Sequence, residues 1–337
     1  MSTRRDSFFD IINNRSQTPY LTAAWQHFIG REYDPADFAD ATLDFVQRWD
    51  WDWVKINPRA VYYAEAWGSR YDPDNYAGVV PTLVEPAITT PDDLTRITPL
   101  KPEDNPAFAD QIAAARAIKT ALPDRAVVQT LFSPLTVLLQ LAGLPTYPDD
   151  GTPAPGLTRA DLLGHPQAGP ALATITRTLA DYTAQLLRPA GEGGAGLDGI
   201  FYAVTGTASQ SFFTRQQFDQ FSAPYDRQVL DAAQPGAVVF HTCRADSHPD
   251  WFADWPVSAL QWDQALPGNP AADVDLGPAT VAGPQSGLFG PGQDLEQLAA
   301  ELAATLHARQ GKPFLLAPSC TIPTPASNTA LELLRQA

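Results

Sequence analysis

The stretch Ala237-Val238-Val239-Phe240-His241-Thr242-Cys243 is a short apolar run with strand character that ends in an imidazole and a thiol two residues apart. A second stretch, Pro313-Phe314-Leu315-Leu316-Ala317-Pro318-Ser319-Cys320, repeats the pattern and holds the only other cysteine of the chain. One histidine and two thiolates suit a borderline-soft cation such as zinc, which takes nitrogen and sulfur ligands tetrahedrally. Three protein ligands leave a fourth position for water or substrate, the arrangement of catalytic rather than closed structural sites. The same three residues also have a plainer reading, a buried histidine with two inert core cysteines.

Working outward, strands and helices alternate about eight times. Strands are expected at 19–24, 53–56, 126–132, 197–204, 237–241, 258–262, 280–282 and 313–317. Between them fall helices at 35–49, from 106, 134–142, 170–187, 214–233 as one piece, and 295–309, with a last one from 325. That order predicts a parallel sheet with helical crossovers. A closed (β/α)8 TIM barrel fits the length, because no glycine fingerprint of an open dinucleotide fold follows the first strand. Residues 1–337 are expected to form a single barrel domain with an N-terminal helical extension around Asp6–Asn14 and a Pro/Gly-rich loop at about 143–169. Residues 68–102 read as turns and extended pieces passing over one face.

Such barrels carry their reactive residues at the C-terminal ends of strands. His241, Cys243 and Cys320 fall there, as do His27, Asn57, Tyr202 and Asp263. Asp263 reads either as a partner of His241 or the metal, or as a capping residue; Arg59 either as a substrate-binding cation or as one side of an ion pair. Gln129 and Tyr202 are polar candidates for the cavity lining. Closing the distance between the two cysteines costs loop entropy that grows only logarithmically with length, and the barrel closes it whether or not an ion binds.

Composition narrows the class. A net charge of -16 over 337 residues excludes a phosphate-tracking surface, so neither nucleic acid nor an anionic membrane is an expected partner. The 32 prolines favour many rigid connections over long helices. The first residues lack the apolar stretch of a secretory leader and no run approaches a membrane span, so a cytoplasmic protein with reduced thiols is expected.

With these residues in hand the chain resembles the uroporphyrinogen decarboxylase superfamily, and within it the zinc-dependent branch of cobalamin-linked methyltransferases that act on thiols such as coenzyme M. The resemblance rests on His241-Thr242-Cys243 with the distant Cys320, and on Phe132-Ser133-Pro134-Leu135-Thr136, Phe221-Ser222-Ala223-Pro224-Tyr225, and Cys320-Thr321-Ile322-Pro323-Thr324-Pro325 followed by Asn328. It implies a (β/α)8 barrel, Zn2+ on His241, Cys243 and Cys320, a small-molecule thiol as acceptor, and a methylcorrinoid as co-substrate on a separate carrier protein. It implies a homodimer as well, since family members are often dimers.

Two departures bear on chemistry. Where the decarboxylases carry an Arg-Gln-Ala-Gly-Arg segment, this chain has Ala24-Trp25-Gln26-His27-Phe28-Ile29-Gly30-Arg31. Where they place an essential aspartate, it has Ile56-Asn57-Pro58-Arg59-Ala60. A polycarboxylate substrate needs cations and a charged pyrrole intermediate needs an anion. The expected activity is therefore methyl transfer, with His27, Asn57, Arg59, Gln129, Tyr202 and Asp263 toward substrate. The alternatives are a decarboxylase of a porphyrinogen or another carboxylated substrate, and a non-catalytic zinc- or ligand-binding barrel.

Overall fold

The structure, a computed structural model, describes residues 2–148, 150 and 156–337. Its centre is one curled sheet of eight parallel strands: β1 (Tyr20–Thr22), β2 (Val54–Ile56), β5 (Val127–Phe132), β6 (Gly199–Ala203), β7 (Ala237–His241), β8 (Ala259–Gln261), β9 (Ala279–Ala282) and β10 (Phe314–Leu316). Each pairs with its neighbours in chain order, and β1 pairs with β10. The last gap, between β1 and β2, is spanned by Asp52, whose N–H donates to the Thr22 carbonyl at 2.9 Å while its carboxylate accepts from the Thr22 N–H at 2.9 Å. The result is the expected (β/α)8 barrel, distorted at the β1–β2 seam.

Between β2 and β5 the chain makes an antiparallel hairpin, β3 (Arg70–Ala77) with β4 (Val80–Glu85), in place of the irregular excursion expected there. The helices are α1 (Arg4–Ile12), α2 (Pro35–Trp49), α3 (Tyr62–Ala66), α4 (Pro106–Ala121), α5 (Pro134–Leu141), α6 (Arg159–Gly164), α7 (Ala168–Leu187), α8 (Arg215–Phe221), α9 (Ala223–Ala232), α10 (Leu295–Ala308) and α11 (Asn328–Arg335). Several start on proline behind a side-chain cap: Asp34 before Pro35, Asn105 before Pro106 and Ser133 before Pro134. At that position the missing N–H is no loss and the fixed φ suits the helix. Residue 149 and residues 151–155 of the expected Pro/Gly-rich loop lie outside the described residues; the remainder of that segment includes α6, capped by Thr158. Among the described residues no helix is long and apolar enough to cross a membrane.

Alternation along each strand sorts the residues into two cores. One set, among them Val127, Leu131, Ile200, Tyr202, Val238 and Phe240, faces the helices. The other faces the barrel axis and joins Leu21, Ala23, Trp25, Trp53, Val128, Phe201, Val239, Val281 and Leu315. Helix α1 closes the N-terminal end of that inner core with Phe8, Ile11 and Ile12. Aromatic rings then climb the axis: Phe8 to Trp53 at 5.7 Å, Trp53 to Trp25 at 5.7 Å, Trp25 to Phe201 at 5.5 Å and Phe201 to His241 at 5.4 Å. Gly199 is where β6 packs against β7, since a Cβ there would stand 2.1 Å from the Ala237 carbonyl oxygen.

Candidate metal centre

The two-residue period of a strand explains the His-x-Cys spacing. His241 ends β7 pointing inward. Thr242 points away, its N–H on the Gln261 carbonyl at 3.0 Å and its hydroxyl on Ser247 at 2.9 Å, which brings Cys243 back to the inner side. Cys320 arrives from β10 on a loop fixed by four bonds: Gln261 Nε2 donates to the Pro318 carbonyl at 2.9 Å, Ser319 N–H to the Pro284 carbonyl at 2.9 Å, Ser319 Oγ to Asp263 Oδ2 at 2.9 Å, and Ser286 N–H to Ser319 Oγ at 3.1 Å.

The ligand atoms of His241, Cys243 and Cys320 all lie within 4.8 Å of one another. The two sulfurs are 3.9 Å apart, and Cys320 Sγ is 3.8 Å from His241 Nε2. Tetrahedral bonds of about 2.3 Å to sulfur and about 2.0 Å to nitrogen require separations of roughly 3.5–3.8 Å. Two of the three pairs stand close to those values and all three within 4.8 Å, so the residues form a cluster able to hold a divalent ion once it draws them slightly together. The electrostatics agree. The S–H···S contact, ahead of burial, pushes the Cys243 thiol up and holds the Cys320 thiol down; His241 and Lys55 also favour the Cys320 thiolate. The pair loses its first proton readily and its second with difficulty, as two close anions must without a cation between them. His241 Nδ1 is buried without a partner among the described residues.

These groups open into a cavity of about 640 Å³ at the C-terminal ends of the strands, also lined by His27, Asn57, Arg59 and Asp263. His27 Nδ1 lies 2.8 Å from Glu32 Oε1, which orients the ring. Asn57 Oδ1 accepts from Lys55 at 2.6 Å while its Nδ2 is buried without a partner. Arg59 turns out to be paired, Nε with Glu65 at 2.8 Å and Nη1 with the Glu32 carbonyl at 2.8 Å. Asp263 does not orient His241. It accepts from Ser319, so it steadies the Cys320 loop, and burial raises its carboxyl pKa. Gln129 and Tyr202 are corrections: both sit on the outward parity of β5 and β6 and do not line the cavity. Gln129 Nε2 donates to the Tyr182 hydroxyl at 2.6 Å, and the Tyr202 hydroxyl donates to Asp226 at 2.7 Å, both between barrel and helices.

Two cavity residues escape sequence reasoning. Tyr147, after α5, lines the cavity with Cys243, and its ring lies under the Arg244 guanidinium at 4.9 Å. Only a chain order that returns residues 143–147 to the mouth could have shown it. Lys55 is buried on the inner face of β2, its Nζ 4.9 Å from the Trp25 ring centre and 4.4 Å from that of Phe201. A lone cation inside Trp53-Val54-Lys55-Ile56 was the available signal. Backbone strain collects here too: Thr205, Arg244, Asp246 and His248 have φ of 51°, 73°, 49° and 45°. Such left-handed non-glycine residues persist where the surroundings over-determine them, often at functional sites.

The chain belongs to the uroporphyrinogen decarboxylase (URO-D) family, whose profile matches residues 22–337. Among solved structures it is similar in fold to a methyltransferase from Methanosarcina mazei, with a TM-score of 0.76 and 16% identity over 100% of this chain and 99% of that one. It matches more loosely a GH5_18 protein from Streptomyces cattleya, at a TM-score of 0.47 and 13% identity over 92% of this chain and 73% of that one; at that score the likeness carries no argument. No curated protein matches the sequence significantly.

Proposed function

We propose that this protein is a zinc-dependent methyltransferase that passes a methyl group from a methylcorrinoid, held by a separate carrier protein, to a small thiol. The observation that carries the reading is the convergence of His241, Cys243 and Cys320 on one point of the cavity wall, where a zinc ion held by these three would be open to a ligand from the cavity. Zinc bound there supplies the chemistry of lowering a thiol's pKa, so that the sulfur reacts as thiolate. The rest belongs to the chain. Asp263 and Ser319 fix the Cys320 loop, Tyr147 stands with Cys243 in the cavity wall, and the walls from β1 and β2 place the acceptor. In the transfer the sulfur–carbon bond forms as the cobalt–carbon bond breaks, and the electron pair of that bond stays with the corrinoid. A free thiol of pKa ~8.5 is a few per cent ionised at neutral pH, so ionisation alone accounts for roughly 2 kcal/mol; positioning must supply the larger share.

Purified protein is expected to hold about one zinc per chain by elemental analysis, as three ligands of this type require, and Cys320→Ala to lose both the ion and methyl transfer from methylcobalamin to 2-mercaptoethanesulfonate. Full transfer by a metal-free Cys320→Ala protein would reject the proposal. The family also favours a decarboxylase reading. Against it stands the β2 end, where Asn57 replaces an acid and Arg59 is already engaged by Glu65. Incubation with uroporphyrinogen is expected to release no carbon dioxide.

A further inference from the structure

Lys55 has no place in the reading above. Its side chain is 6% exposed, lines the cavity, and makes one hydrogen bond, to Asn57 Oδ1 at 2.6 Å. No carboxylate among the described residues hydrogen-bonds or ion-pairs with it. The neighbours that face it are aromatic, Trp25 after β1 and Phe201 on β6. The titratable groups it shares the cavity with are Cys243, Cys320, His241, His27, Arg59, Arg244, Asp150, Asp263, Tyr63, Tyr71 and Tyr147. A buried lysine without a carboxylate partner is unusual, because an ammonium taken out of water is costly unless it is paired. Burial brings the Lys55 pKa down to about 7, with the sulfurs of Cys320 and Cys243 opposing.

Charge balance says what such a group does. Two thiolates and a divalent ion sum to zero, so a third thiolate leaves the buried centre with a net negative charge. If the thiol's proton went to bulk water, that charge would stand uncompensated in a low-dielectric cavity. We infer that Lys55 Nζ is the proton acceptor for the incoming thiol, an assignment that rests on the methyltransferase reading. The S–H bond breaks with its electron pair left on sulfur, the neutral amine takes the proton to become an ammonium, and the cavity stays neutral overall. Trp25 and Phe201 present ring faces that favour the ammonium once formed, and the Asn57 carbonyl oxygen accepts one of its N–H groups. After methyl transfer the product is an uncharged thioether, and the ammonium returns its proton to solvent. Buried lysines commonly serve as bases in this way because their ammonium form is easily destabilised.

The test is proton counting rather than turnover. Zinc-loaded protein is titrated with 2-mercaptoethanol at pH 7.5 in buffers of different ionisation enthalpy, which gives the protons released per thiol bound. The wild type is expected to release far less than one, whereas Lys55→Met and Lys55→Arg each release about one. Arginine keeps the cation and the volume but cannot take up a proton, so it separates a proton acceptor from a mere counter-charge and guards against misfolding of the methionine variant. Equal release by wild type and Lys55→Arg would overturn the inference and leave the methyltransferase reading intact. A zinc-loaded wild type that binds no thiol would overturn both. On the metal-free wild type, competitive acetylation should show Lys55 with a midpoint at about 7; a midpoint in the ordinary lysine range would likewise sink it.

Discussion

At the scale of single residues, the centre is defined as much by what holds its ligands as by the ligands. Outer partners orient metal-bound side chains, and their loss typically costs 10- to 100-fold in affinity. Tyr147, in the cavity wall with Cys243 and acting on its thiol electrostatically, is placed to be such a partner. Tyr147→Phe is expected to keep the fold and bind zinc about tenfold more weakly, read by competition with a chromophoric chelator. An unchanged affinity would mean the hydroxyl only packs. Sequence reasoning found the three residues of the His/Cys cluster because a two-residue period and a strand end are visible in any chain. It missed Tyr147 and Lys55 for different reasons. The loop carrying Tyr147 reaches Cys243 only through the tertiary fold, and a lysine within a strand ordinarily reads as a solvated side chain.

At the scale of elements, parity decides. Gln129 and Tyr202 were placed toward the cavity because they are polar and lie on the right strands. One step of register turns a side chain from the axis to the helix layer, and the apolar runs of a doubly covered sheet hide which step is which. The helix expected over 214–233 is two helices, broken at Ser222 (φ -117°, ψ -62°). Pro224 is the cause, since it lacks the N–H and its ring clashes with the carbonyl four residues back; it was in plain view. The break lets Ser222 Oγ donate to Asp226 Oδ2 at 2.8 Å while Tyr202 donates to Oδ1 at 2.7 Å. Burial pushes the Asp226 carboxyl up to about 7, against about 4 in the unfolded chain. The folded state thus holds a proton that the unfolded state has lost between those values, and stability falls as pH rises from about 4 to about 7. Asp226→Asn cannot ionise. The wild type should lose roughly 2–4 kcal/mol relative to it across that window in urea unfolding, and parallel curves for the two proteins would rule out a buried ionising Asp226.

At the scale of the whole molecule the barrel divides its labour between two ends. The strained loops, the cavity and the His/Cys cluster occupy the C-terminal end. The N-terminal end is tied by ion pairs: Asp50 to Arg4, Arg125 and Arg335, and Asp198 to Arg5 and Lys119. Asp198 is the tighter knot. Its side chain is 2% exposed and accepts from Arg5 Nε at 2.6 Å, Lys119 Nζ at 2.7 Å and the Val127 N–H at 2.8 Å, so one carboxylate joins α1, α4, β5 and the start of β6. Removing it leaves a buried N–H without an acceptor and a largely buried ammonium with only the Arg125 carbonyl, at 3.0 Å, in place of a counter-charge, and breaking such a pair costs about 3–5 kcal/mol. Arg5 is 44% exposed and recovers water on losing its partner, which places the expected cost of Asp198→Ala nearer the lower figure, about 3 kcal/mol by denaturant unfolding. None of these groups lines the cavity that holds the His/Cys cluster. Below its unfolding transition the variant should therefore still carry about one zinc per chain, as the three-ligand site requires. Loss of the ion at a denaturant concentration where the far-UV circular dichroism is still native would show that the two ends are coupled and that the barrel does not isolate its chemistry from its foundation.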